Sequence, residues 1–413
     1  MKKQIVFLES FPEVMTYKIA KLFKEKGYEI ISLRVLKSKD SSLNNFYKQA
    51  YDKVKSFDLD FFRMSYKNIP AIFLSLLKNL KNIFQTLFFI LKLKPYVIFA
   101  RAKPSWPCAL IRKVFRKTPF IYFPYDIRSE DCSSMEIAKK KGLKNFEINS
   151  EKFCFENADG IIHKGAPNEL NLLEGRIFPK IKFTPLQLTI HPYCSNEFIV
   201  PFNKNKLSKK DKEIHVVEVR SISSVDVKEF SFFFDCAEEF EKNKIHIHFY
   251  TKPNTLSKEE IIQSFEKTYK KELNSKYFHL HEPKNPQELI REISKFDFGI
   301  FILPLSDREE KGYIPLQTEV GLGNKQASYL EAGLPFFYPP EIKYLDTIMI
   351  NYGLNLYVKN KEDIKNIKNT VKKLDYAKLE KKIQLAREDF SMEKHFPELE
   401  KFVQEVVNRK KLN

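Results

Sequence analysis

Apolar residues in this chain fall into short continuous runs separated by longer stretches with helical spacing. "QIVFLE" (4–9) has the length and density of a buried strand. "PEVMTYKIAKLFKEKG" (12–27) repeats its apolar positions at helical intervals and stops at Gly27, as helices ending on a left-handed glycine do. "YEIISLRVL" (28–36) predicts a second strand. The alternation continues with strand "YVIFAR" (96–101), helix "PCALIRKVFRK" (107–117), strand "PFIYFPYD" (119–126), a helix over 145–158 and strand "ADGIIHKG" (158–165). It restarts after the polar run "NKNKLSKKDKE" (203–213), which reads as a linker. Strands are predicted at 214–223, 245–251, 276–283 and 296–304, with helices at 227–243 and 285–295, and the last 40 residues are amphipathic and helical. Strand–helix alternation at this spacing predicts α/β architecture with parallel, doubly wound sheets.

A length of 413 residues with 43% hydrophobic positions supports two folded domains and excludes a disordered chain. The five cysteines are scattered without a CxxC pair, which argues against a disulfide framework and a structural zinc and fits a reducing cytoplasm. The charge is uneven. Residues 1–203 carry 34 Lys and Arg against 19 Asp and Glu, whereas residues 204–413 carry 37 against 34. Between Asp60 and Asp126 there are 12 basic residues and no acidic one. That stretch contains "IPAIFLSLLKNLKNIFQTLFFILKLKP" (69–95), whose longest charge-free piece is too short to span a bilayer. It reads either as a buried helix between strands or as a basic, apolar surface for anionic lipid headgroups, and different faces can serve both.

The loop at 305–323 leads from a strand into the helix "NKQASYLEA" (324–332), with Asn324 as its expected N-cap and Gly333 as its stop. In an open parallel sheet, ligands bind beyond the carboxyl ends of the strands. Gly321 and Gly323 would let backbone N–H groups approach an anion at this helix start. Lys325 in the first turn opposes the helix dipole unless an anion is bound nearby; the alternative is that it points into water.

Five segments carry a family resemblance over some 350 residues. "FDFGIFILP…GLGNKQASYLEAGLPFFYP" resembles the donor-binding region of GT-B glycosyltransferases. The segments 94–127, 151–173 and 278–301 resemble further stretches of that family in the same order, and "VRSISSVDVK" (219–228) resembles its diphosphate clamp. The resemblance implies two Rossmann-like doubly wound domains facing a central cleft. The N-terminal acceptor-side domain would span 1–203, the nucleotide-sugar domain 204–385, and a C-terminal helix over 386–413 would pack back across the domains. It also implies roles. Arg220 and Lys228 would clamp the leaving diphosphate, and Gly323, Asn324 and Lys325 would add anion contacts. Glu319 or Glu331 would accept ribose hydroxyls. Asp126 would position or deprotonate an acceptor hydroxyl, with Glu130 and Asp131 as alternatives. At the end of its own strand, His163 would either face the crevice or serve a structural role. Two positions depart from the family pattern: Ser328 stands where many members have a ribose-binding Glu, and Tyr125 stands where they have His.

The expected function is a metal-independent glycosyltransferase that uses a UDP- or GDP-sugar as substrate, with no cofactor and no metal. Its acceptor would be an envelope glycan or lipid-linked glycan at the cytoplasmic face, with peripheral contact to anionic membrane and no nucleic-acid partner. A non-catalytic subunit of the same fold and a sugar-nucleotide epimerase are the alternatives.

Overall fold

The computed structural model describes residues 2–36, 41–59, 69–124, 126–131, 136, 145–184, 186–220, 227–251, 257–302 and 316–412. The chain divides into two compact units. One comprises Met1–His191 with His395–Asn413, and the other Pro192–Lys394.

The first unit is built on a parallel seven-stranded sheet. Its strands are β1 (Gln4–Glu9), β2 (Glu29–Arg34), β3 (Lys53–Ser56), β4 (Val97–Ala100), β5 (Phe120–Tyr122), β6 (Gly160–His163) and β7 (Gln187–Thr189), in the order β3-β2-β1-β4-β5-β6-β7. The chain winds outward from β1 in one direction and from β4 in the other, so the sheet has its topological switch between these two central strands. Val6 sits opposite both Ile31 and Ile98, and Ile5, Val6, Phe7 and Leu8 are fully buried. Burial on both faces explains why the central strands read as continuous apolar runs. The edge strands β3 and β7 escape the apolar pattern because they are short and half-solvated; Lys53 on β3 pairs with Glu29 at 2.7 Å. Gly27 closes the helix Val14–Glu25 with φ +86°, as its position predicted. The final helix, Met392–Leu412, covers this sheet with its later turns. Phe396 meets Phe23 edge-on at 4.8 Å, and a Cβ on Gly160 would lie 2.7 Å from Val406 and 2.9 Å from Phe402.

The second unit repeats the plan with six parallel strands: β8 (Ile214–Arg220), β9 (Ile245–Thr251), β10 (Phe278–His281), β11 (Phe298–Ile300), β12 (Phe336–Tyr338) and β13 (Leu356–Tyr357), ordered β10-β9-β8-β11-β12-β13. The polar run 203–213 packs onto this unit. Lys206 Nζ donates to the carbonyls of Ser294 and Phe296 at 2.9 and 2.7 Å, and Ser208 Oγ donates to Asp297 at 2.5 Å.

Two interior features set this unit apart. Tyr329, on the helix Asn324–Glu331, is fully buried, and its hydroxyl lies 3.0 Å from the Val217 carbonyl and 2.9 Å from that of Ile300, while Val219 N–H donates to it at 3.3 Å. This phenol ties the helix to β8 and β11 together. Only glycine at 299 allows it, since a Cβ there would stand 2.5 Å from the Tyr329 ring.

The second feature is a ladder of five histidines on one face of β8, β9 and β10. His215 Nδ1 bonds His248 Nε2 at 2.8 Å, His248 Nδ1 bonds His281 Nε2 at 2.9 Å, and His246 Nδ1 bonds His279 Nε2 at 2.9 Å. Asp211 and Glu213 cap the near ends at 2.9 and 2.8 Å through His215 Nε2 and His246 Nε2. Burial first, and the neighbouring imidazoles or, for His281, a nearby lysine second, push His279 and His281 down to about 4.

Two outcomes follow for stability. Gly299→Ala forces the Tyr329 ring aside and lowers stability by about 1–3 kcal/mol in denaturant unfolding. The neutral ladder is favoured by folding, so its contribution is full above the unfolded histidine value near 6.5 and is lost as pH falls toward 4. The melting temperature therefore drops between pH 7 and 5, and less so in a His248→Leu/His281→Leu variant.

Candidate functional site

The second unit places Arg220 at the carboxyl end of β8 and sets Lys325, from the helix Asn324–Glu331, against Glu218 of the same strand. Gly323 is the N-cap of the helix Asn324–Glu331, with no side-chain cap, and Asn324 is the first helical residue instead of the expected cap. A Cβ on Gly323 would meet nothing within 4 Å, so the approach to this helix start is open, whereas one on Gly321 would collide with the Gln317 carbonyl. Lys325 does not point into water. Its ammonium pairs with Glu218, a fully buried carboxylate in the middle of β8, and lies 5.2 Å from the centre of the Phe301 ring. Burial raises the Glu218 carboxyl above its ordinary value, and Lys325 opposes that rise. A lysine in the first turn is thus matched to a charge on the strand beneath it.

Arg220 ends β8, half-buried, with Nη1 donating to the Ile302 carbonyl at 3.3 Å and its guanidinium 4.9 Å from the Phe233 ring centre. Lys228 lies on the helix Val227–Lys242; its side chain and residues 221–226 and 303–315 fall outside the described residues, as does Tyr125. Ser328 is half-buried one turn beyond Asn324. Glu319, on the short helix Leu316–Val320, pairs with Lys343 at 3.5 Å. Glu331 is buried and accepts the Ser195 N–H at 2.8 Å, a packing role within its own unit.

The first unit gathers charge at its own carboxyl edge. A cavity of about 290 Å³ beside the β1–β4 switch is lined by Ser10, Phe11, Arg101, Lys103, Asp126 and Glu147 among others. Asp126 is paired with Lys164 at 2.7 Å and Lys103 at 3.3 Å. Burial alone would lower the Lys164 ammonium, but Asp126, with Glu13 and Glu169 adding, outweighs it and the value rises. Arg101 is held by Glu13 at 3.1 Å and Glu9 at 3.7 Å, and it donates to the Phe11 carbonyl at 3.2 Å. His163 is buried away from this cavity's lining. Its Nδ1 bonds Glu169 at 2.7 Å and its Nε2 bonds Thr189 at 3.0 Å, so both ring nitrogens are engaged within the fold. Glu130 is buried as well, its carboxyl pushed far up by burial and then by Glu169.

The histidine ladder also bears on metal chemistry. Asp211, His215 and His246 bring one ligand atom each within 4.8 Å, the one such group among the described residues. The two imidazoles stack 4.3 Å apart and within 4° of parallel, so their Nε2 atoms, each bonded to a carboxylate, point side by side and do not converge as a tetrahedral site requires. They also stand at the amino ends of β8 and β9, opposite the edge that carries Arg220.

Comparison with known proteins bears on this arrangement. Residues 237–396 match the family model described as Glucosyltransferase 3-like, C-terminal domain. No curated protein sequence matches the chain. Among solved structures, a glycosyltransferase from Rickettsia africae aligns with a TM-score of 0.60 at 12% identity, covering 98% of this chain and 99% of that one. HepE from Anabaena, solved with UDP, gives a TM-score of 0.62 at 12% identity over 98% and 100%. MnaA of S. aureus, also solved with UDP, gives 0.58 at 12% over 99% and 97%. The fold is GT-B. The paired Rossmann-like sheets expected from the alternation of strand and helix are present. Sequence reasoning missed Glu218, although an acid inside the apolar run "VVEV" of a central GT-B strand is a signal that something buried must balance it.

Lys325→Met leaves Glu218 buried without its partner and costs about 3 kcal/mol of stability in this GT-B chain. A Glu218→Gln/Lys325→Met double variant recovers most of that loss, which a double-mutant cycle in urea measures directly.

Proposed function

We propose that this chain is a metal-independent glycosyltransferase that moves a sugar from a UDP- or GDP-sugar to an envelope glycan or lipid-linked acceptor at the cytoplasmic face of a membrane. The observation that carries the reading is the carboxyl edge of β8, where Arg220 and the uncapped, open helix start at Gly323 and Asn324 supply positive potential without any metal. Such an edge suits a diphosphate, because backbone N–H groups and a guanidinium stabilise charge that grows as the glycosidic bond breaks. The family model matched by residues 237–396 and the UDP-bound neighbours of the same fold support the same assignment.

In this mechanism an acceptor oxygen attacks the anomeric carbon, and the bond from that carbon to the nucleoside diphosphate breaks. The bonding electrons leave with the diphosphate, which Arg220, Lys228 and the helix start at Gly323 and Asn324 receive. Glu319 and Ser328 contact the donor nearby, with Ser328 in the place of a carboxylate on the ribose. Lys325 adds a cation whose position Glu218 sets. In the first unit Asp126, oriented by Lys164 and Lys103, takes the acceptor hydroxyl proton. The flanking ammonium groups and Arg101 give that cavity a surface suited to an acceptor carrying phosphate.

Two observations favour a non-catalytic member of the fold as a second reading. Ser328 replaces the carboxylate expected for a ribose, and Lys325 is already committed to Glu218. An epimerase is disfavoured, since every histidine of the second unit belongs to the ladder.

Thermal-shift titration with UDP, GDP, ADP, CMP and their sugar conjugates tests the donor assignment. UDP or GDP at a hundredfold excess over its dissociation constant stabilises the protein by about 2.7 kcal/mol, a shift that Arg220→Ala abolishes. No shift with any nucleotide would sink the assignment. With donor binding established, Asp126→Asn lowers transfer to a lipid-diphosphate-sugar acceptor by about 10²–10⁴-fold while leaving the nucleotide shift in place. Nucleotide binding without transfer in the wild-type chain would select the non-catalytic reading.

A further inference from the structure

From Leu77 onward the helix Ile69–Leu93 buries polar residues among apolar ones and leaves an apolar stripe outside. The face it presents to its own unit is partly polar. Asn79 and Thr86 are buried, Asn82 Nδ2 donates to the Asp58 carbonyl at 2.6 Å, and Ile90 is the fully packed aliphatic residue among them. The outward face is apolar. Leu77, Leu80, Phe84, Phe88 and Leu91 are 46%, 40%, 68%, 68% and 60% exposed. At 100° per residue these five positions fall within an arc of about 80°, a continuous stripe about 21 Å long on one side of the helix. Lys81 and Lys92 run along one flank of the stripe, exposed, with Lys78 beyond them and Lys94 at the end. The helix carries no acidic residue at all.

We propose that this stripe is a membrane-docking surface that lies in the plane of an anionic phospholipid bilayer. Its aromatic and aliphatic side chains would sit at the acyl boundary and its lysines among the headgroups. This deepens the membrane-linked acceptor reading and rests on it for its biological purpose, though the physical argument is independent of donor chemistry. An apolar face flanked by lysines is the pattern of an interfacial helix. No helix among the described residues is long and apolar enough to cross a membrane, so contact through this element is in-plane. A second copy of the chain is a poorer occupant, because a two-fold contact through this face would bring the same lysines against each other. An anionic surface answers both the apolar stripe and the lysines. Because the crossover runs back against the strands, the helix starts at the sheet edge that carries Arg101, Lys103 and Asp126. Docking along this helix would hold that edge near lipid headgroups.

The test is flotation of the full-length protein with vesicles of phosphatidylcholine alone or phosphatidylcholine mixed with phosphatidylglycerol. The wild-type chain floats with the anionic vesicles, and binding weakens as salt screens the lysines. Phe84→Ser/Phe88→Ser lowers the bound fraction by roughly tenfold or more, as expected when two interfacial aromatics are removed. Lys81→Glu/Lys92→Glu removes the preference for anionic lipid. Melting temperature and the nucleotide-induced shift of both variants match the wild type, because the altered residues are exposed and far from the donor edge in sequence. Absence of flotation by the wild type, or undiminished flotation of the phenylalanine variant, overturns the proposal. So does a wild-type dimer, measured by light scattering, that the phenylalanine variant dissolves. Flotation that persists in a chain showing no nucleotide shift would leave docking standing while the transferase reading fell.

Discussion

The second unit depends on one buried hydroxyl. Tyr329 places a single phenol oxygen between the carbonyls of Val217 and Ile300 and the N–H of Val219, so one side chain joins a helix to two neighbouring parallel strands. The contact requires the bare backbone of Gly299. A buried hydroxyl in such a place is held by direction as well as by burial, since leaving any of its partners unpaired is costly. Its consequence is positional. With Tyr329 fixed, the helix Asn324–Glu331 can meet β8 in only one rotation, and Lys325 one turn earlier comes down on Glu218. Glu218, which receives Lys325, lies two residues before Arg220 on the same strand.

Charge at the carboxyl edges of both sheets is organised by pairing. Glu218 with Lys325, Asp126 with Lys164 and Lys103, and Arg101 with Glu13 and Glu9 each join a residue on or near the strands to partners from other segments of the chain. Taking such groups out of water is tolerable only where a partner compensates. The pairs therefore fix side-chain directions at the places where an open α/β sheet binds its ligands. His163 belongs to the structural part of this arrangement, because Glu169 and Thr189 occupy its two nitrogens.

The helix Ile69–Leu93 shows the opposite solution. Its inward side mixes the buried Asn79, Thr86 and Ile90 with Asn82, which bonds the Asp58 carbonyl, and with Phe89, which packs on Phe57, while the apolar stripe is left exposed. A soluble monomer has no stability to gain from five exposed Leu and Phe residues on one face, and contiguous patches of this kind mark an interaction surface.

The alternation of apolar runs and helical periods was enough to determine paired parallel sheets, because central parallel strands are buried on both faces and must read as continuous apolar segments. It also located β1, β4, β8, β9 and β11, the helix start at 323–325 and its stop at Gly333. The short edge strands β3, β7 and β13 left too little periodic signal, since two to four residues at a sheet margin need only part of a face buried, and the buried β12 is only three residues long. Side-chain direction was beyond the pattern altogether. Whether Lys325 faced water or a carboxylate depended on Glu218, 107 residues away in sequence. Whether Phe84 and Phe88 lay inside or outside depended on which face of an almost uniformly apolar helix met Asp58. Periodicity records how often a chain turns toward its core; only the tertiary contacts decide which partner waits there.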